Sequence, residues 1–181
     1  MSMASNEPRS QPRTRLREFQ AELTERLARA KIAHVGSSHL GVGINEERWL
    51  IDLTEAGEIV PVPPIVQVPH TLPWFRGLTS VRGNLLSVVD LSTYLGGAPT
   101  RVDRDSRCLV FGAALEINAA VLVSRMLGLH ATGGWTRADG DAGATAQIGA
   151  AVWTDEQQRP WRELSLAALA AEDRFLHISA I

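Results

Sequence analysis

Hydrophobic and polar positions follow two different patterns along this chain. Between residues 14 and 33, the large apolar side chains recur every three or four positions, which is the period of an amphipathic helix. Beyond residue 36, the apolar residues fall into short runs separated by turn signals, a pattern typical of a β-barrel or β-sandwich. We therefore predict a mainly β domain at residues 36–181, preceded by a helical extension at residues 14–35 and a disordered polar tail at residues 1–13.

An apolar stripe marks one face of the predicted helix. Its members are Leu16, Phe19, Leu23, Leu27 and Ala30. Such a stripe needs a surface that covers it, because most of the stability of a protein helix comes from the packing of its apolar face. Two interpretations stay open: the helix packs on its own domain, or it binds a partner.

The β pattern consists of short strands separated by turns. We predict strands at His39–Ile44, Arg48–Leu53, Glu58–Val62, Gly77–Arg82, Leu85–Asp90, Cys108–Leu115, Asn118–Arg125, Ile148–Thr154 and Trp161–Glu163. Residues 61–73 contain five prolines, which cannot donate hydrogen bonds to a neighbouring strand, so this stretch is predicted to be an extended loop. Gly83-Asn84 is predicted to be a two-residue hairpin turn, because glycine tolerates a positive φ.

Short helices and one long loop complete the pattern. We predict a single helical turn at Leu91–Leu95 and a short helix at Leu166–Ala171, with Ser165 as its N-terminal cap. Residues 133–147 almost lack large apolar side chains and are predicted to be a loop.

The overall charge argues against a nucleic-acid partner. The formal net charge of the chain is −2, whereas domains that bind nucleic acid are usually strongly basic. Residues 1–31 have a net charge of +3 and the remainder has a net charge of −5. The basic segment is either an arm that favours an acidic partner or a solvated helix face. A nucleic-acid-binding barrel would also interleave basic and aromatic residues, whereas the five tryptophans here are scattered.

Cysteine usage and hydropathy point to the cytoplasm. Cys108 is the only cysteine, so an internal disulfide is impossible. No stretch approaches ~18 uninterrupted apolar residues, so we predict no direct membrane insertion. The N-terminal sequence is polar and lacks the apolar centre of an export signal.

No complete set of catalytic or metal-binding residues is visible. The five histidines include no pair three or four positions apart, so no helix face offers paired metal ligands. The chain has no Gly-x-Ser-x-Gly nucleophile turn and no Gly-Lys-Ser/Thr phosphate loop. Cys108 is either a reactive thiol activated by Arg107 or a small buried residue. We predict no catalytic residue, no metal and no cofactor, and a small enzyme on a β scaffold stays an alternative.

Residues 68–91 carry the most specific motif of the chain. They read Val-Pro-His-Thr-Leu-Pro-Trp-Phe-Arg-Gly-Leu-Thr-Ser-Val-Arg-Gly-Asn-Leu-Leu-Ser-Val-Val-Asp-Leu. This segment resembles the core signature of CheW-like domains, in which an Arg-Gly turn precedes an apolar strand that ends in Val-Asp-Leu. Residues 73–77 are similar to the PilI-like branch, which serves type IV pilus twitching motility. Two residues depart from the family pattern: Ser80 stands where asparagine is usual, and Ser124 where an acidic residue is common.

The resemblance implies a fold and a function. The implied fold is two small five-stranded SH3-like barrels packed side by side, with an N-terminal helix and a short C-terminal helix. The implied function is a non-enzymatic adaptor that couples the cytoplasmic tip of a methyl-accepting chemoreceptor to the regulatory domain of a CheA-type histidine kinase, at membrane-bound receptor arrays that control twitching motility. A coupling protein of flagellar chemotaxis is the alternative within the family, and the helical extension argues against it.

The resemblance also implies a partner-binding site. Arg82 corresponds to the family arginine at the receptor-contacting groove, where a guanidinium would hold a carboxylate or carbonyl in a fixed geometry. The alternative is that Arg82 only braces the hairpin. The partner-binding residues predicted with it are Val81, Ser80, Gly83, Asn84, Val89 and Asp90.

Overall fold

The described part of the chain is mainly β, as predicted. The computed structural model describes residues 38–140, 148–149 and 151–180. The tail predicted at residues 1–13 and the helix predicted at residues 14–35 lie outside these residues. None of the helices in the described ranges is long and apolar enough to cross a membrane.

Eleven strands in the described residues form two sheets. Their bounds are β1 Ser38–Ile44, β2 Glu47–Asp52, β3 Ala56–Pro61, β4 Phe75–Val81, β5 Asn84–Asp90, β6 Arg107–Phe111, β7 Ala119–Val123, β8 Arg125–Ala131, β9 Thr136–Asp139, β10 Ala151–Thr154 and β11 Pro160–Leu164. The large sheet has six strands in the order β8-β1-β2-β11-β10-β9, and the small sheet has five in the order β3-β6-β7-β5-β4. Neighbouring strands are antiparallel except for two parallel pairs, β2 with β11 and β5 with β7.

The small sheet curls so that the chain leaving one edge strand covers the other edge. Val66, in the loop after β3, pairs with Leu78 of β4 through two backbone hydrogen bonds of 2.8 and 2.9 Å. This pairing satisfies backbone groups that an open edge would expose. The curvature agrees with the barrel predicted for this part of the chain.

A shared apolar core lies between the two sheets. Its members include Leu40, Val42, Trp49 and Ile51 of the large sheet and Val89, Leu109, Phe111 and Val121 of the small sheet. A second cluster of Leu86, Val88, Cys108, Ala120 and Leu122 fills the interior of the small sheet. Successive side chains of a strand point to opposite faces, so β5 supplies the interior cluster from one face and the shared core from the other.

Among the described residues, three short α-helices pack near the ends of strands. They are α1 Leu91–Tyr94, α2 Leu166–Ala171 and α3 Asp173–Leu176. The hydroxyl of Ser165 accepts a hydrogen bond from the Ala168 N–H at 3.1 Å, which confirms the predicted cap of α2. Phe175 of α3 stacks on Phe111 in the shared core, with ring centroids 5.7 Å apart. The short C-terminal helix of the predicted fold is therefore confirmed.

The predicted strand Asn118–Arg125 is wrong, because it joins two strands of different sheets. β7 of the small sheet ends at Val123, and β8 of the large sheet begins at Arg125. Between them, the Ser124 N–H donates to the Gly43 carbonyl at 3.0 Å, so the chain crosses from one sheet to the other. The apolar run through β7 gave no sign of this crossing.

The loop predicted at residues 133–147 contains a strand. β9 at residues 136–139 is an edge strand of the large sheet, and all four of its side chains are exposed. A strand without a buried face has no alternation of apolar and polar residues. β9 was therefore not predicted. With it, the large sheet has six strands instead of the predicted five.

Candidate functional site

The turn between β4 and β5 lies one residue earlier than predicted. Val81 pairs with Asn84, so Arg82 and Gly83 are the two central residues of the hairpin. Their φ angles are 50° and 86°. A two-residue turn with positive φ at both central positions is type I′, whose twist matches that of the paired strands. The prediction identified the glycine correctly but assigned it to the first central position instead of the second.

The backbone of Arg82 lies in the left-handed region, which arginine adopts less readily than glycine does. The left-handed region costs a residue other than glycine roughly 1–2 kcal/mol. The Arg82 Nε lies 2.7 Å from Oε1 of Glu58 on β3, and the arginine side chain is 78% exposed. An exposed ion pair contributes at most about 1 kcal/mol, so this contact does not clearly outweigh the cost of the turn. The contribution of this ion pair to stability therefore does not by itself account for arginine at this position.

An exposed apolar side chain lies on β5, three residues after Arg82. Leu85 follows the turn, pairs with Ser80 across the hairpin and is 62% exposed. It shares a face of β5 with Ser87 and with Val89, and Val89 belongs to the shared core. The hairpin surface is defined here as Glu58, Ser80, Arg82, Asn84 and Leu85.

The structure does not bring all the predicted partner-binding residues to this surface. Val81 packs against the interior cluster of the small sheet. Val89 and Asp90 are buried at the opposite end of β5, roughly 20 Å from the turn. The Asp90 carboxylate accepts hydrogen bonds from the backbone N–H and hydroxyl of Thr100, at 2.8 and 2.7 Å. Neither Val89 nor Asp90 has surface that a partner could contact directly, so both lie outside the hairpin surface.

Sequence reasoning missed two members of the hairpin surface. Glu58 was predicted to begin a strand, but its contact with Arg82 depends on how the small sheet curls, which no local pattern reveals. Leu85 carried a usable signal: Leu85 and Leu86 are adjacent in a strand, so one of them had to point away from the interior cluster.

The candidate thiol lies in the interior of the small sheet. Cys108 is fully buried in the interior cluster. Burial raises the pKa of its thiol to about 11, so the thiol stays protonated at neutral pH, and the thiolate is the nucleophilic form. Within the described ranges, no group of three or more His, Cys, Asp or Glu side chains could hold a metal ion.

The chain matches the model of a known protein family. The model of the CheW-like domain matches residues 38–174, from the first strand into α3. The chain belongs to the CheW-like domain family. This membership confirms the resemblance carried by residues 68–91, and the matched residues include the whole hairpin surface.

Two known proteins are similar to this CheW-like chain. It is 28% identical to Protein PilI of Pseudomonas aeruginosa over 93 residues, 51% of this chain and 52% of the relative, so it spans about half the length of this curated relative. The fold is similar to the crystal structure of scaffolding protein TtCheW from Thermoanaerobacter tengcongensis, with a TM-score of 0.61 and 16% identity over 72% of this chain and 89% of that one. The second likeness bears on the fold alone and agrees with the paired barrels.

Proposed function

We propose that this chain is a non-enzymatic adaptor that couples the cytoplasmic tip of a methyl-accepting chemoreceptor to the regulatory domain of a CheA-type histidine kinase. The pathway we propose is the one that controls type IV pilus twitching motility, and the proposed location is the cytoplasm, at membrane-bound receptor arrays. Membership of the CheW-like family supports the adaptor role. The similarity to Protein PilI supports the pilus pathway over flagellar chemotaxis.

The observation that carries the proposal is the hairpin surface. It combines a cation and an apolar side chain of one tight hairpin with a carboxylate of β3. Arginine is enriched among the residues that dominate binding energy, and a charged contact gains importance when a partner removes water from it. In this proposal Arg82 and Leu85 contact the partner, and Gly83 and Asn84 hold the turn that presents them.

We also infer that the adaptor acts without catalysis and without a cofactor. An adaptor works by holding two partners in a fixed relation, and a rigid pair of barrels suits that task. Cys108 was the candidate nucleophile, and its burial with a raised pKa of about 11 supports a structural role instead.

Reconstitution of receptor control over the kinase tests this function. A receptor signalling domain displayed on vesicles is mixed with the kinase, and kinase autophosphorylation is measured with and without the adaptor. We expect the receptor to change the kinase rate only when the adaptor is present, and the adaptor alone to turn over no ATP. Receptor control that does not depend on the adaptor, or ATP turnover by the adaptor alone, would contradict the proposal.

A further inference from the structure

Two arginines flank a glycine in the middle of the large sheet. Gly43 of β1 pairs with Arg48 of β2 on one side and with Arg125 of β8 on the other. Paired residues of neighbouring strands project to the same face of a sheet, so both arginines lie on one face with only a glycine between them. Their Cα atoms are two strand spacings apart, which is roughly 10 Å.

The glycine lets the side chain of Arg125 lie across β1. A Cβ added to Gly43 would be 2.7 Å from Cγ of Arg125 and 3.3 Å from its Cζ. The guanidinium is therefore above Gly43, displaced from β8 towards the strand that carries Arg48. A glycine inside a strand often marks the close approach of another group, and here that group is the arginine side chain.

Arg48 is oriented on the same face by an aromatic ring. Its Cζ lies 6.0 Å from the centroid of the Trp161 ring. Trp161 is buried, and its Nε1 donates to Asp155 at 3.0 Å, so the ring is fixed in place. A contact of this kind orients a guanidinium but does not neutralise its charge.

Neither Arg48 nor Arg125 has an acceptor for its guanidinium. The described residues include three other half-buried arginines, and each donates to a carboxylate or to backbone carbonyls: Arg76, Arg107 and Arg162. In the same part of the chain, Arg48 and Arg125 make no ion pair and no hydrogen bond. A partly desolvated charge without a partner is unfavourable, and two like charges on one face repel each other. The arrangement therefore favours an anion between them.

The residues that precede the two arginines supply no negative charge to this face. Glu47 precedes Arg48 but projects from the opposite face of β2, where it pairs with Arg162. Ser124 precedes Arg125 and is uncharged. Since no described carboxylate pairs with either arginine, we expect the counter-charge to come from another molecule.

We propose that Arg48 and Arg125 form a binding site for a phosphate group. The two negative charges of the group match two guanidinium groups, whereas a carboxylate would neutralise only one. Each planar guanidinium presents its N–H donors in a fork that fits phosphate oxygens. Both side chains are partly exposed, so the group enters from solution.

The site goes beyond the receptor and kinase role and does not depend on it. It lies on the large sheet, whereas the hairpin surface is on the small sheet. The phosphate group is either a free ion or part of a phosphorylated side chain of a partner protein. The chemistry that the two arginines recognise is the same in both cases, and binding measurements separate the two sources.

Calorimetric titration of the full-length protein with inorganic phosphate tests the site. The ionic strength is kept constant, and acetate is the reference anion. We expect saturable binding of phosphate and at least about tenfold weaker binding of acetate, because acetate has one negative charge instead of two. Phosphoserine with both backbone ends capped is the second probe. Tighter binding than phosphate assigns the group to a partner's side chain, and weaker binding assigns it to the free ion.

Matched variants separate a local site from the general charge of the protein. Arg48→Gln and Arg125→Gln should each weaken phosphate binding by about tenfold. Arg125→Lys keeps the charge but not the planar fork, so it should also bind phosphate more weakly than the wild type. Arg137→Gln removes the same charge from β9 and should have a much smaller effect, because that guanidinium already donates to Glu163.

Three results would overturn the proposal. The first is the absence of saturable phosphate binding, and the second is acetate binding as tight as phosphate binding. The third is a phosphate affinity that stays unchanged in Arg48→Gln or Arg125→Gln, or that falls equally in these variants and in Arg137→Gln.

Discussion

The guanidinium of Arg82 lies 2.7 Å from the carboxylate of Glu58, although the two residues belong to opposite edges of the small sheet. Arg82 follows β4, which is one edge strand, and Glu58 is on β3, which is the other. The contact exists because the sheet curls towards a closed barrel. Curling therefore determines which carboxylate accompanies Arg82 at the surface.

Replacing Arg82 with the residue that the turn prefers should not destabilise the protein. Arg82→Asn creates an Asn-Gly type I′ turn, the most favourable hairpin sequence. The gain from relieving the left-handed arginine, roughly 1–2 kcal/mol, should match or exceed the loss of an exposed ion pair. We expect urea unfolding to give a free energy of unfolding equal to the wild-type value or higher by about 1 kcal/mol. A loss of several kcal/mol would instead show that the ion pair keeps the barrel closed.

Acid should weaken the hairpin of β10 and β11 through Asp155. Burial raises the pKa of this carboxyl, but hydrogen bonds from Trp161 and Arg159 and the charge of Arg159 outweigh burial and hold its pKa well below its usual range. A carboxyl with a lowered folded pKa stabilises the protein above its unfolded pKa of about 4, and that contribution is lost as the pH falls towards the folded value.

The melting temperature should therefore fall as the pH drops below about 4. Asp155→Asn should melt lower than the wild type at neutral pH and should show a smaller loss in acid, because it has no carboxyl to protonate. Thermal unfolding of both proteins across this pH range is the measurement. Parallel pH profiles for the two proteins would show that Asp155 does not contribute to the acid sensitivity.

Cys108 should resist alkylation in the folded protein. Its burial and its raised pKa of about 11 leave almost no accessible thiolate at mildly alkaline pH. Iodoacetamide labelling followed by mass spectrometry should be slow in buffer and fast in denaturant. Rapid labelling of the native protein would restore the reactive-thiol interpretation.

Removal of residues 1–33 should leave a cooperatively folded domain. The two apolar clusters in the described residues draw their members from residue 40 onward. Circular dichroism and thermal melting of the truncated chain should show β structure and a single transition. A truncated protein without a cooperative transition would place the predicted helical stripe in the folding core.

Sequence patterns could predict strands whose apolar side chains contact a core and whose ends are marked by turn residues. β1 and β5 were predicted almost to the residue, because their apolar side chains contact a core. β9 was missed because all four of its residues are exposed. The crossing at Ser124 was missed because the strand on its N-terminal side is buried on both faces, so its hydrophobicity showed no periodicity.

The candidate site was predictable only in part, for a similar reason. The motif around Arg82 and Gly83 identified the hairpin, since an Arg-Gly turn is a local feature. The partnership with Glu58 and the buried position of Asp90 are tertiary features, set by the curl of the small sheet and by the packing of Thr100. A local pattern contains no information about either.

A matched pair of charge reversals isolates the role of Arg82. Arg82→Glu reverses the charge on the hairpin surface, and Arg104→Glu makes the same change in the loop before β6. The Arg104 side chain is 93% exposed and its nearest carboxylate, on Asp105, is 3.8 Å away. Surface changes usually alter stability by about 0.5 kcal/mol or less, so both variants should unfold close to the wild type.

Co-sedimentation of these two variants with the receptor tip and the kinase tests the adaptor role most directly. A like or unpaired charge at a contact without water costs roughly 2–5 kcal/mol, or tens- to thousands-fold in affinity. We predict that Arg104→Glu sediments with its partners like the wild type and that folded Arg82→Glu loses at least about tenfold in binding. Wild-type binding by a folded Arg82→Glu protein would contradict the account.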